Sequence, residues 1–91
     1  MPPRLKLVPV AVMSEVISHF NEDDETTTYK VKIIVIGEEK VQDFDVYINP
    51  ELWVKRWELF RPGHHLWLQG VVNEASILVI DAWYMREPLD M

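Results

Sequence analysis

The sequence predicts an all-β domain with one short helix, its five strands rolled into a small barrel. Apolar and polar residues alternate along most of the chain, and a period of two is typical of half-buried strands. Helical spacing occurs in a single segment, between the third and fourth of these strands. The chain has 91 residues, 48% of them hydrophobic, which is enough for one core and too few for two domains. We therefore expect residues 1–91 to form a single domain, with a core over about 5–85 and a loose tail at 86–91.

The first three strands are predicted from alternation. The first covers 5–20, either as one strand with a bulge near 13–15 or as a broken pair of strands, because the apolar pattern changes phase there. The second covers 27–37, and the third covers 41–48. The faces of the second and third strands that should point outward carry Lys30, Lys32, Ile34, Asp43, Asp45 and Tyr47.

The helix is predicted to follow Asn49, whose side chain can accept a hydrogen bond from a backbone N–H of the first turn. Pro50 suits the first helical position, where no N–H is needed, and Glu51 favours the positive end of the helix dipole. Helical spacing continues to about Phe60. Arg56 falls within the apolar arc of this helix, so it either extends its charged end to solvent or serves a site.

Two more strands follow the helix, which ends at Pro62–Gly63. They cover 66–72 and 76–85 and are joined by a turn at 73–75. One helix cannot supply the crossover connections of a parallel doubly wound sheet. The order of elements instead matches the five-stranded Greek-key barrel of the OB-fold, with the helix between strands three and four.

Three motifs lie in the second half of the chain: Phe44–Leu52, Leu59–Phe60 and Gly63–Val72. In them a strand leads into a short helix, and a glycine-containing turn precedes an alternating strand with a glycine at its middle. Gly70 permits a strongly bent barrel strand where a side chain would meet its neighbour. Residues 41–85 resemble the second half of an OB-fold nucleic-acid-binding domain, as in bacterial replicative DNA polymerase alpha subunits and class II aminoacyl-tRNA synthetases. The resemblance implies single-stranded DNA or RNA as the ligand.

The amino-acid composition limits the kinds of site, the cellular location and the partners that this chain can have. Cysteine is absent, which excludes a disulfide framework and a thiolate zinc site and favours a cytoplasmic protein. No apolar run approaches the roughly 20 residues of a membrane helix, so we expect no membrane partner. The net charge of −6 is opposite to the basic footprint of many nucleic-acid binders. Four consecutive acids, Glu22–Glu25, account for most of the excess and are expected to form a solvated loop.

Motifs for catalysis and metal binding are absent from the sequence. Ser14, Ser18 and Ser76 lack the glycines of a nucleophile elbow, and no glycine-rich phosphate loop occurs. Neighbouring residues of a strand point to opposite faces, so His64 and His65 cannot chelate one ion together. We expect no enzyme activity, no metal and no cofactor.

Binding residues are expected on and beside the face of strands two and three, because OB-folds combine aromatic stacking with cationic groups there. The predicted phosphate contacts are Lys30, Lys32, Lys55 and Arg56. The predicted stacking or edge contacts are Tyr47, His65, Trp67 and Trp83. An alternative for the strand lysines is pairing across the strands with Asp43 and Asp45, worth about 0.2–1 kcal/mol per pair.

The tryptophans also have structural alternatives. Trp67 alternates with residues that should line the barrel, so it should lie outside the core. There it could stack a base, anchor a protein partner, or be covered by Trp53 or Trp57 of the helix as part of a secondary core. Trp83 and Tyr84 point to opposite faces of a regular strand, so one of the two should be core.

These observations lead to two functional hypotheses. The leading one is a non-catalytic module that holds single-stranded nucleic acid as an accessory to DNA replication or repair. The alternative is a protein-interaction module that docks a partner subunit through an exposed tryptophan and the acidic loop. The net charge favours the alternative and the resemblance favours nucleic acid, while the oligomeric state is left open.

Overall fold

The structure is a computed structural model that describes residues 4–73 and 76–85. Its strands are β1 (Arg4–Val12), β2 (Ile17–Asn21), β3 (Thr26–Val35), β4 (Asp43–Ile48), β5 (His65–Val72) and β6 (Ile77–Tyr84). Its helix is α1 (Pro50–Arg56), which continues as a 3-10 turn over Trp57–Leu59. The predicted tail at 86–91 lies outside the described residues. No helix in the described ranges is both long enough and apolar enough to cross a membrane.

Five strands form a closed barrel in the order β1, β5, β6, β4, β3, and pairing of β1 with β3 completes the ring. The β4–β6 pair is parallel, and the other pairs are antiparallel. The helix lies between β4 and β5 in sequence, which are the third and fourth strands of the ring. The predicted OB-fold barrel is therefore confirmed.

The predicted first strand is a broken pair. β1 belongs to the barrel, whereas β2 pairs with β3 alone and extends the sheet as a hairpin. The chain between them stays attached to β3 through Lys32, whose N–H donates to Ser14 Oγ (3.0 Å) and whose carbonyl accepts from the N–H of Met13 (2.8 Å). These two hydrogen bonds tie the segment between β1 and β2 to the middle of β3.

The part of the core that comes from the strands is aliphatic, and all five barrel strands contribute to it. Its buried members include Val10, Val12, Val31, Ile33, Val46, Ile48, Leu66, Leu68, Val79 and Ala82. The alternation predicted for the second and third strands is confirmed, because the inward residues Val31, Ile33, Val46 and Ile48 are buried. No buried polar side chain occurs in the described part of the chain.

The helical segment closes one end of the barrel. Asn49 Oδ1 accepts a hydrogen bond from the N–H of Glu51 at 2.9 Å, which confirms the predicted cap. Leu52, Leu59 and Phe60 are buried against the strands. The side chain of Arg56 is exposed, which agrees with the first of its two predicted alternatives, an arginine that extends its charged end to solvent. The α-helix ends there, and the 3-10 turn changes the angular spacing of the residues that follow.

A bulge bends the wall of the barrel between β5 and β6. The register shifts between Gln69 and Gly70, which leaves Ile80 as the extra residue on β6. A Cβ atom at Gly70 would lie 3.1 Å from Cγ2 of Ile77. This close approach is the reason for glycine at the middle of β5, as the sequence predicted.

Candidate nucleic-acid interface

The outer surface of β3 and β4 carries the first group of predicted residues. Lys30 lies opposite Tyr47, and Lys32 lies opposite Asp45 in the antiparallel ladder. Their neighbours in sequence face the core, so all four side chains stand on the solvent side. The structure therefore places two lysines and one aromatic ring of the prediction on one continuous face.

The two lysines have different surroundings. Lys32 Nζ lies 3.4 Å from Asp45 Oδ1, so one rung of the ladder suggested as the structural alternative is formed. Both side chains are over two-fifths exposed, and solvent screening keeps such a pair at about 1 kcal/mol or less. Lys30 has Tyr47 on one side and Ile17 of β2 on the other. Among the described residues no ion pair engages Lys30.

A groove of about 410 Å³ adjoins this face. It runs between the β2–β3 hairpin and the residues beside the β5–β6 turn, with the end of β4, Tyr47 and Ile48, between them. Its lining residues include Thr26, Thr27, Thr28, Tyr29, Tyr47, Pro50, Asn73, Ser76 and Leu78. In OB-folds that bind oligonucleotides, the ligand lies on this face between the corresponding loops.

The sequence prediction included Tyr47 but missed the other groove residues. Thr26, Thr27 and Thr28 directly follow the acidic run in the sequence. A polar wall could have been predicted from these three consecutive hydroxyl side chains. Asn73 and Ser76 hold the opposite wall in shape, because Asn73 Oδ1 accepts from the N–H of Ser76 at 3.0 Å. Nothing in the sequence indicated that these two walls face each other.

The predicted acidic loop is the tight turn at the tip of the β2–β3 hairpin. Asn21 Oδ1 accepts from the N–H of Asp23 at 3.0 Å. Asp24 Oδ1 accepts from the N–H of Thr26 at 3.2 Å and from its hydroxyl at 2.7 Å. Glu25 has φ of 56°, a conformation that non-glycine residues adopt at a cost of about 1 kcal/mol. These hydrogen bonds hold the turn in shape, and it leads directly into Thr26, the first residue of the groove lining.

Trp67 and Trp83 form a second group, on the outer surface of β5 and β6. They lie opposite each other in the ladder, and Pro9 of β1 lies on the far side of Trp67. Each of the two tryptophans is 38% exposed, so the outward placement of Trp67 is confirmed. The expectation that Trp83 or Tyr84 belongs to the core is wrong, since Tyr84 is also 46% exposed. Tyr84 pairs with the buried Leu66 and therefore points to the same, inward side of the sheet. It stands at the rim of the barrel, however, beyond the core.

The helix tryptophans contact other residues. Trp53 stacks on Tyr29 with ring centroids 5.2 Å apart and lies 6.4 Å from Phe60. Trp57 is half-exposed, with the Arg61 guanidinium 5.6 Å from its ring centre. Among the described residues no ring contact joins either of them to Trp67. The secondary core suggested for Trp67 is therefore not formed by these rings.

The remaining predicted cations form a third group. Lys55 and Arg56 are exposed on α1 and line a polar cleft with Glu51 and Asp81. This cleft is separate from the groove beside Lys30. The structure thus unites Lys30, Lys32 and Tyr47 on one face but places the other predicted cations elsewhere.

The two histidines diverge, as the strand geometry predicted. His64 Nδ1 lies 2.9 Å from the carbonyl oxygen of Leu59, and its ring meets the edge of Tyr84 at 5.4 Å. His65 is exposed at the start of β5, opposite Ala11 of β1. No cluster of three or more metal-ligating side chains occurs in 4–73 and 76–85.

Comparison with known proteins gives a likeness in structure alone. No protein-family model matches the sequence, and no curated protein is significantly similar to it. The chain superposes on a crystal structure of the mitochondrial single-stranded DNA-binding protein Rim1 from S. cerevisiae with a TM-score of 0.78 and 13% identity, covering 94% of this chain and 98% of Rim1. A second crystal form gives a TM-score of 0.74 with 12% identity, covering 92% and 97% of the two chains. The two proteins share a fold over nearly their whole lengths.

Proposed function

We propose that this OB-fold binds single-stranded DNA without catalysing a reaction, as an accessory to replication or repair. The observation that carries the proposal is the juxtaposition of Lys30 and Tyr47 on the outer face of β3 and β4, beside a groove. The structural likeness to Rim1, whose name describes a single-stranded DNA-binding protein, supports the same ligand. A cytoplasmic location is consistent with a chain that contains no cysteine.

Each residue of the face has a distinct role in this proposal. Tyr47 stacks a base, an interaction worth about 1–3 kcal/mol. Lys30 contacts a phosphate, because no carboxylate of the described chain competes for its ammonium group. Lys32 contributes less, since a phosphate must displace Asp45 from it.

The other two groups are assigned to a longer strand of DNA. One group consists of His65 and Trp67 on β5 with Trp83 on β6. The other consists of Lys55 and Arg56 on α1. DNA that fills the groove meets none of the four tryptophans directly, because none of them lines it. Only DNA that continues around the barrel reaches the Trp67–Trp83 pair. Short oligonucleotides should therefore bind without quenching the tryptophan fluorescence, and only longer ones should bind and quench it.

A length series of labelled oligothymidylates tests the proposal, over the range of about 4 to 16 nucleotides that OB-folds occupy. Fluorescence anisotropy of the label reports binding, and protein emission reports contact with the indoles. We expect the shortest binding oligonucleotides to raise the anisotropy with little loss of tryptophan emission, and the longer ones to quench it. Contact with about three phosphates gives a log-log salt slope near −2. Constant anisotropy at every length in low salt would contradict the proposal, and tighter binding of matched oligouridylates would reassign it to RNA.

A second candidate function, docking of a protein partner, is favoured by the face around Trp67. The outward side chains of β1, β5 and β6 include Leu5, Leu7 and both strand tryptophans, all more than a third exposed. Among the described outward residues of these three strands, Asp81 alone carries a formal charge. Such a patch fits a partner whose contact surface is apolar and weakly charged. The acidic turn lies outside this patch, at the tip of the β2–β3 hairpin.

A tagged chain tests this second candidate. The expected result is one partner recovered in equal molar amount that rebinds when purified, and that is lost with Trp67→Ser. Binding of short oligothymidylates and the thermal midpoint report on the same variant. If the midpoint falls sharply, Trp67 holds the barrel together, and the loss of a partner no longer supports docking.

A further inference from the structure

In residues 4–73 and 76–85, helix α1 closes one end of the barrel, and no described element covers the other end. At the end opposite α1 its interior opens into a cavity of about 210 Å³, lined by aliphatic side chains from all five barrel strands. Val8, Val35 and Val72 stand toward the mouth, where Phe44 is 40% exposed. Gly70, which contributes no side chain, keeps part of this space free. A small molecule could enter the core through this opening without moving a strand.

The size of the cavity limits what it can hold. A cavity of about 150 Å³ lined by aliphatic and aromatic side chains stays dry and binds benzene. The present cavity is somewhat larger and is similarly apolar, so one ring with a short chain, or about six aliphatic carbons, would fill it. Water gains little there, because it needs two or more polar partners.

The charge at the mouth selects among such molecules. Lys6 belongs to the cavity lining, and Lys40 stands in a shallow depression next to it together with Glu38 and Gln42. Neither lysine forms an ion pair with another described residue. No carboxylate lines the cavity itself. In a chain with a net charge of −6, two unpaired ammonium groups at an apolar opening favour an anionic head group.

We propose that the open end of the barrel binds a small amphipathic carboxylate, with its apolar part inside the barrel and its carboxylate on Lys6. The site is independent of DNA binding, because the cavity lies inside the barrel and the groove lies on its outer surface. The two sites share no lining residue. Either site can therefore exist without the other.

Titration with 3-phenylpropanoate and its neutral amide tests the proposal. Methyl resonances of the valine, leucine and isoleucine residues are followed by NMR at low salt. We expect saturable shifts of the cavity methyls, with millimolar affinity given the small size of the probe. The carboxylate should bind about threefold more tightly than the amide, as expected for one exposed ion pair. The absence of saturable shifts, or equal affinity for the two probes, would overturn the proposal.

Two pairs of variants locate the site. Val72→Phe fills the cavity, whereas Val71→Phe places the same ring on the outer face of the same strand. Binding should be lost in the first and kept in the second, with both chains folded. Lys6→Gln should remove the preference for the carboxylate, and Lys55→Gln, at the other end of the barrel, should leave it. Binding that survives Val72→Phe, or a preference that survives Lys6→Gln, would place the ligand elsewhere and refute the assignment.

Discussion

Lys30 and Tyr47 lie directly opposite each other on β3 and β4, and both stand on the outer surface of the barrel. One rung further along the same ladder, Lys32 is engaged by Asp45 at 3.4 Å. The two lysines are thus alike in position and exposure but differ in the charge that faces them. This difference makes them a matched pair for testing where the DNA backbone lies.

Replacement of Lys30 should weaken oligothymidylate binding more than replacement of Lys32. Lys30→Gln removes a cation that no carboxylate neutralises, so we expect a loss of about threefold to tenfold at low salt and a salt slope smaller by about 0.7. Lys32→Gln should have a lesser effect, because its ammonium group is already paired. Asp45→Asn should strengthen binding by freeing Lys32. Fluorescence anisotropy at several salt concentrations measures all three, and equal losses for the two lysines would contradict this placement of the strand.

Removal of the Tyr47 ring should cost the energy of one stacked base. Tyr47→Ala is expected to weaken binding by about 1–3 kcal/mol, whereas Tyr47→Phe keeps the aromatic face and should bind nearly as tightly. Tyr84→Ala is the control, since Tyr84 is similarly exposed but stands at the helix end of the barrel. A comparable loss in the Tyr84 variant would show that binding is not confined to the β3–β4 face.

Neutralisation of the hairpin tip should strengthen DNA binding. Glu22→Gln with Asp23→Asn removes two negative charges beside the threonine wall of the groove, while Asp24 is kept because it holds the turn through Thr26. The control is Glu38→Gln with Glu39→Gln, the same change of charge beyond the other end of β3. β3 has ten residues and spans about 30 Å, roughly three Debye lengths at 0.1 M salt. We expect the affinity for DNA, measured by anisotropy, to rise a few-fold in the Glu22–Asp23 variant alone. A similar rise in the Glu38–Glu39 variant would indicate an effect of net charge only.

The helix cap should contribute measurably to stability. Asn49→Ala removes the acceptor for the N–H of Glu51 and should lower the free energy of unfolding by about 1 kcal/mol. For a domain of this size that corresponds to a fall in Tm of about 4–8 °C. Asn49→Asp keeps a carboxylate acceptor at the same position and should retain most of the stability. Thermal unfolding followed by circular dichroism measures both, and an unchanged Tm for the alanine variant would show that the backbone alone fixes the start of α1.

Local patterns in the sequence were sufficient for the barrel strands and for the start of the helix. Alternation assigned both faces of β3 and β4, because one face of each is buried and a shift by one residue would exchange the faces. The cap at Asn49 depends on a single side chain and a neighbouring N–H, which is also local information. The prediction for Arg56 left two alternatives open, and its exposure at the last position of the α-helix agrees with the one in which its charged end reaches solvent.

The site was predicted less completely, because it depends on contacts between distant segments. Lys30 and Tyr47 could be placed on one face from the phase of their strands. The walls of the groove could not, since Thr26 and Asn73 are brought to opposite sides of β4 by the closure of the barrel. Tyr84 shows the same limit, because its phase points inward while its position at the rim leaves it in solvent.

The double pairing of β1 constrains how the chain folds during its synthesis. Residues 10–12 of β1 pair with β3, while residues 4–11 pair with β5, which ends at Val72. β1 therefore leaves the ribosome well before β5, and the ring cannot close until β5 follows. Because translation proceeds at about 5–20 residues per second, the apolar face of β1 stays uncovered for several seconds in the nascent chain. Any chaperone that shields this polypeptide should act on β1 in that interval.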